Sequence, residues 1–110
     1  MRKRKPNVDQ AIREMVRRIV RRFQPERIIL FGSHARGEAG PDSDVDLLVV
    51  MPVKIPKHRQ QVQIRVALHD VGIPKDIIVT TPEDFAWRKE VVGTIEYPAA
   101  REGKVLYVRQ

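Results

Sequence analysis

Two short runs govern what this chain can fold into: Arg27-Ile28-Ile29-Leu30-Phe31 and Val45-Asp46-Leu47-Leu48-Val49-Val50. Both are apolar at consecutive rather than alternate positions, so each reads as a strand buried on both faces. Such strands need cover on either side, and in 110 residues that means one domain, residues 1–110, with helices packed on a small sheet. The rest of the pattern supplies the helices. Ile12, Met15, Val16, Ile19, Val20 and Phe23 recur at three- and four-residue steps. They predict a helix from Val8 to Phe23, opened by Asn7 and Gln10 as a capping box and stopped by Pro25. Four more helical segments are expected: a turn at Ser33–Arg36, His58–Asp70, one from Thr81-Pro82-Glu83-Asp84 to Gly93, and a short one around Pro98–Glu102. They alternate with strands at Asp76–Thr80 and Lys104–Val108. The fold class is α/β (α+β), a small sheet flanked by helices.

The chain has no cysteine, which removes disulfides, thiolate metal sites and thiol nucleophiles. Any metal is left to carboxylate, imidazole or backbone oxygen, a donor set suited to hard cations such as Mg²⁺. No apolar run approaches the ~20 residues of a membrane span, and the basic start Met1–Lys5 is not followed by a hydrophobic signal segment. A soluble, cytoplasmic protein with no membrane partner is expected. Lys and Arg number 21 against 14 Asp and Glu, and residues 1–36 carry the whole excess. Without aromatic residues interleaved among them, these cations read as a solvated helix face rather than a nucleic-acid groove.

The chemistry concentrates in Phe31-Gly32-Ser33-His34-Ala35-Arg36-Gly37 and Ser43-Asp44-Val45-Asp46-Leu47. A strand that ends in Gly-Ser and turns into a helix points free N–H groups outward; Gly32 has no Cβ to hold a ligand away and Ser33 adds a hydroxyl. Asp44 and Asp46 are two apart on an extended segment, so both carboxylates face one way. Two carboxylates ~4 Å apart repel by about 4 kcal/mol at an effective dielectric of ~20. Against a total stability of ~5–15 kcal/mol, this calls for either a bound cation or a bound proton. Asp76 opens the third strand and would join the pair if the two strands were neighbours.

Gly-Ser at the end of one strand, ten residues, Asp-x-Asp at the start of the next and a later Asp on a third strand resemble the nucleotidyltransferase superfamily that includes DNA polymerase β. Gly-Ser-x-Ala-Arg-Gly and the closing Glu102-Gly-Lys-Val-Leu-Tyr107 are similar to the minimal nucleotidyltransferases, the antitoxins of HEPN/MNT toxin–antitoxin pairs. That resemblance implies a mixed, polymerase β palm-like sheet and transfer of AMP from ATP to a hydroxyl with release of pyrophosphate. It further implies Gly32, Ser33 and Arg36 at the nucleotide, and Asp44, Asp46 and Asp76 as catalytic and metal-ligating residues for two Mg²⁺, with Asp76 also drawing the acceptor's proton. The acceptor is expected to be a tyrosine of a HEPN-family toxin, held in a hetero-oligomer. A binding-only antitoxin, and a transferase for a small molecule or nucleic-acid end, are the alternatives.

Several residues have plainer readings. Arg36 could reach a phosphate or brace its loop through Asp42 or Glu38. His34 is expected on the surface, Asp42 in a turn, and His58 with His69 are not a metal pair. Lys75 reads as a solvated strand end or a nucleotide contact, and Phe85 with Trp87 as packing or partner surface.

Overall fold

In a computed structural model that describes residues 7–110, the alternation resolves into four strands and five helices among those residues. Arg2, Lys3, Arg4 and Lys5, part of the basic N-terminal third, lie outside the described residues. The elements are α1 (Val8–Phe23), β1 (Arg27–Phe31), α2 (Ser33–Arg36), β2 (Val45–Val50), α3 (Lys57–Ala67), β3 (Lys75–Thr80), α4 (Pro82–Arg88), α5 (Glu96–Glu102) and β4 (Lys104–Val108). Asn7 caps α1 by accepting from the Gln10 N–H, and Gln24 in a left-handed conformation closes it before Pro25. Thr81 caps α4 through the Asp84 N–H, with Pro82 in the first turn.

Three boundaries differ from the sequence pattern by two residues or more. α3 stops at Ala67 rather than Asp70: the Leu68 N–H closes it on the Ile64 and Arg65 carbonyls, and turns leading to Gly72 and Pro74 follow, through which Leu68, Val71 and Ile73 still reach the core. α4 stops at Arg88 rather than Gly93. Val91 and Val92 beyond it are exposed, so that stretch has no face to bury, and the Thr94 hydroxyl ties it down by donating toward the Arg88 and Val91 carbonyls. α5 starts at Glu96, two residues before Pro98, with Thr94 Oγ1 accepting from the Tyr97 N–H.

The strand order is β3-β2-β1-β4. β1 runs antiparallel to both β2 and β4, while β2 and β3 are parallel and joined through α3, so the sheet is mixed. The central strands are buried on both faces, as their continuous apolar runs require. One face, with Leu30, Leu47, Val49, Ile77 and Val79, packs under Ile12, Met15 and Ile19 of α1 and Ile64 of α3. The other has a much smaller cluster, Ile29, Leu48 and Val50 under Phe85 of α4 and Ala99 of α5. On that side Glu96 is buried, accepts from the Thr80 hydroxyl at 2.7 Å and has Arg88 Nε 3.1 Å away.

α3 also hems the free edge of β3. Gln61 Oε1 accepts from the Val79 N–H at 2.9 Å, satisfying an edge donor that would otherwise recruit another strand. The far end of α3 is tied to α1 by Arg18, which donates to Asp70 at 2.5 and 3.1 Å and to the Ala67 carbonyl at 3.2 Å. The Arg18 hydrogen bond holds the Asp70 carboxyl at about 2, below its ordinary 3.8. A depressed carboxylate stabilises the fold above its unfolded-state value, and that contribution is lost as pH falls through the folded one. Asp70→Asn is therefore expected to melt below the native chain at neutral pH. The gap should close as pH falls from 3.8 to about 2, which circular-dichroism melts across that range will read.

Candidate active site

The pairing of β1 with β2 explains why Gly-Ser and Asp-x-Asp occur as a unit. Phe31, the last residue of β1, is the register partner of Asp46, so Gly32 and Ser33 leave the sheet beside the acids entering it. The chain turns there with Gly32 at φ 74° and ψ −157°, a conformation that is essentially glycine's alone. A Cβ on Gly32 would stand 2.2 Å from Asp46 Oδ2. The glycine thus makes room for the Asp46 carboxylate itself, where the sequence suggested only room for a ligand.

α2 then begins at Ser33. Its Ala35 and Arg36 N–H groups return to the Gly32 carbonyl, whereas the Ser33 and His34 N–H groups make no hydrogen bond among the described residues. His34 is half-buried rather than a surface residue. Its Nε2 lies 3.2 Å from the Ser43 carbonyl, which can only accept, so Nε2 carries the proton and pins the 37–43 loop to α2. Asp42 sits in the turn of that loop as expected. Arg36 makes the contact expected of a loop brace: Nε donates to Glu38 at 3.1 Å, and Nη1 lies 3.9 Å from Glu102.

Asp46 and Asp76 are register partners on parallel β2 and β3, and register partners share a sheet face. The face is the thinly covered one, below Leu48 and Ile78. Asp44 is exposed, one residue before β2, and its charge reaches Asp46. The Asp46 carboxyl is pushed above its ordinary range, first by burial, then by the charges of Asp76 and Asp44, with His34 and Arg36 offsetting part of the effect. The pairing of strands that sequence could not show is therefore present. The three acids do not, however, close into a cage: among the described residues no three His, Asp or Glu side chains converge into one cluster. Asp76 is instead turned onto Arg65 of α3, whose Nη2 donates to Oδ1 at 2.8 Å.

Sequence reasoning missed Arg65, and no motif signals it, because the contact depends on α3 overhanging the β3 edge. Lys75 proves neither solvated nor free for a nucleotide: its Nζ donates to the Val71 and Ile73 carbonyls at 2.7 and 3.0 Å. Burial pushes its pKa down. Phe85 is core while Trp87 is largely exposed, and no helix among the described residues is long and apolar enough to cross a membrane.

The donor set fits a hard divalent cation. Asp46 is a half-buried carboxylate crowded by like charge, Asp44 is exposed next to it, and all the available donors are oxygen.

Residues 12–99 match the family described as "Nucleotidyltransferase domain". A Methanocaldococcus jannaschii protein named "Putative protein adenylyltransferase" is 31% identical over 103 residues, 92% of this chain and 99% of that protein. A crystal structure from Sulfolobus solfataricus, named a "putative nucleotidyltransferase", superposes with TM-score 0.61 at 23% identity over 99% of this chain and 93% of the other. A toxin–antitoxin structure with AMP-PNP superposes with TM-score 0.56 at 19% identity, over 93% and 74% of the respective chains.

Gly32→Ala should be among the most damaging single changes at the site. It forces an L-residue into a glycine conformation, at about 1–3 kcal/mol, and drives the new methyl into Asp46. Thermal unfolding should show a loss of that order, and nucleotide binding should fall with it.

Proposed function

The chain belongs to the nucleotidyltransferase domain family, and from that premise we propose that it transfers AMP from ATP to a tyrosine hydroxyl of a HEPN-family toxin, acting as the toxin's antitoxin. The observation that carries the reading is the setting of Asp46, which lies over Gly32 and beside Asp76 at the open end of the sheet. In-line phosphoryl transfer asks a protein for positioning and charge neutralisation more than for covalent chemistry, and that is what these residues offer. The name of the Methanocaldococcus relative supports a protein acceptor, and the fold shared with a toxin–antitoxin structure holding AMP-PNP supports the nucleotide and the partner.

The unbonded Ser33 and His34 N–H groups and the Ser33 hydroxyl hold the triphosphate oxygens. Asp44, Asp46 and Asp76 would hold Mg²⁺, as two ions. When bound, Mg²⁺ supplies charge neutralisation for the phosphates and for the leaving pyrophosphate. The acceptor oxygen forms a bond to the α-phosphorus, the bond to pyrophosphate breaks, and the hydroxyl proton passes to Asp76. Arg36 follows its ion pairs with Glu38 and Glu102 and contributes at longer range. The setting proposed for this reaction is the cytoplasm, where ATP and the partner would both be met.

A protein partner also suits a groove of about 570 Å³ between α1 and β4. Ile12, Val16, Val20 and Leu106 make it apolar, and Arg13 and Arg21 on its rim have no carboxylate partner among the described residues. An acidic segment with an apolar side complements it in charge. One observation favours the binding-only reading: Asp76 is engaged by Arg65 and the acids do not converge.

The test incubates the chain with Mg²⁺ and labelled ATP, GTP, CTP or UTP, with and without the HEPN protein. AMP should appear on the partner, with pyrophosphate released. Asp44→Asn or Asp46→Asn should cut transfer by at least about a hundredfold, the scale of losing one group that stabilises transition-state charge, while complex formation persists. Because each substitution removes like-charge repulsion, its melting temperature should match or exceed the native one. Tight binding with no transfer of any nucleotide would establish the steric antitoxin instead.

A further inference from the structure

Gln61 and Arg65 are one helical turn apart on α3, so they lie on one stripe of that helix. Both reach the same exposed edge of the sheet, Gln61 to the Val79 N–H and Arg65 to Asp76. α3 packs on the opposite sheet face from the acids, through Ile64 and the capping Leu68 just after it, whereas Asp76 shares its face with Asp46. Arg65 therefore comes around the edge of β3 to meet a carboxylate on the other side. The contact is one hydrogen bond of 2.8 Å between side chains that are 44% and 43% exposed.

We propose that Arg65 is a positioning residue that competes with a divalent cation for Asp76. A guanidinium on Asp76 offsets the negative charge that crowds Asp46, and it does so without a metal. It also holds Asp76 out of any three-carboxylate set, consistent with the absence of a converged cluster among the described residues. A cation that recruits Asp76 must displace Arg65, whose pair is exposed enough to yield. Among the described residues Asp44 and Asp46 have no comparable partner and remain available as the first two ligands, so Arg65 sets the cost of adding the third. The titratable and charged groups near this cluster also include His34 and Arg36, neither of which touches Asp76 directly among the described residues. The inference rests on the reading of Asp44, Asp46 and Asp76 as metal ligands.

The experiment titrates Mn²⁺ into the full chain and follows the loss of the free-ion electron paramagnetic resonance signal, for the native chain, Arg65→Gln, Arg65→Lys, Asp76→Asn and the Arg65→Gln/Asp76→Asn pair. Circular dichroism confirms that each is folded. Arg65→Gln should bind Mn²⁺ about two- to fivefold more tightly, the scale of one exposed ion pair. Arg65→Lys, which keeps the charge, should stay near the native value, and Arg65→Gln should make no difference in the Asp76→Asn background. Unchanged or weaker binding by Arg65→Gln, in a chain that does bind Mn²⁺, overturns the competition, as does a gain that survives Asp76→Asn. If neither the native chain nor Arg65→Gln binds Mn²⁺, the metal reading itself falls.

Discussion

Asp46 is crowded from three sides, and much of the local structure follows from that. Phe31 is its neighbour on β1, Asp76 its neighbour on β3, and the Cα of Gly32 lies so close that no Cβ could be added there. Each neighbour restricts the sequence. The antiparallel register brings the end of β1 to the start of β2, so the turn that follows β1 must be a glycine at positive φ. The parallel register of β2 with β3 makes the third acid a fixed companion of the second. The ten residues between Ser33 and Asp44 then carry the chain from one strand to the next, braced by the His34 contact with Ser43.

This crowding is costly unless positive charge is supplied. The raised pKa of Asp46 arises from burial and from Asp76 and Asp44 acting together. The protein answers with distributed positive charge: Arg36 from α2 and Arg65 from α3 across the sheet edge. Neither the Arg36–Glu38 nor the Arg65–Asp76 pair is buried, so each is individually weak and replaceable. A site that takes and releases a nucleotide benefits from that arrangement, since a deeply buried ion pair would resist exchange.

The sheet and α1 were legible in the sequence because their signals are local. Continuous apolar runs marked β1 and β2, and the three-to-four spacing of Ile12, Met15, Val16 and Ile19 marked α1 from cap to stop. The ends of α3 and α4 were not legible: Leu68 and Val71 continue the helical spacing of Ile64 past the point where α3 gives way to turns, and Val91 and Val92 have nothing to cover. At the site, Gly32, Ser33, Asp44 and Asp46 stood out as types in a pattern, and the strand alternation of buried runs made Asp76 a candidate. What local pattern could not reveal was who touches whom. Arg65 is eleven residues before Asp76, and Arg36 had two plausible partners until the fold set Glu38 and Glu102 beside it.

The two faces of the sheet divide the work. The face under α1 and α3 carries the larger cluster of buried side chains, with Met15, Ile19, Leu47, Ile64 and Ile77 fully enclosed, and the hydrophobic effect there supplies most of the stability. The face under α4 and α5 encloses only a few residues and leaves the end of the strands open. The acids belong on that face for a physical reason. Had α5 extended over them, desolvation would have raised Asp46 further and made the fold depend on a permanently bound proton or cation. With the end left open, Asp44 stays in water, Asp46 is only half-buried, and Asp76 is within reach of an arginine that can let go. Thin cover on one face is thus a condition for holding three carboxylates together, and the heavily packed opposite face is what lets a chain of this length tolerate it.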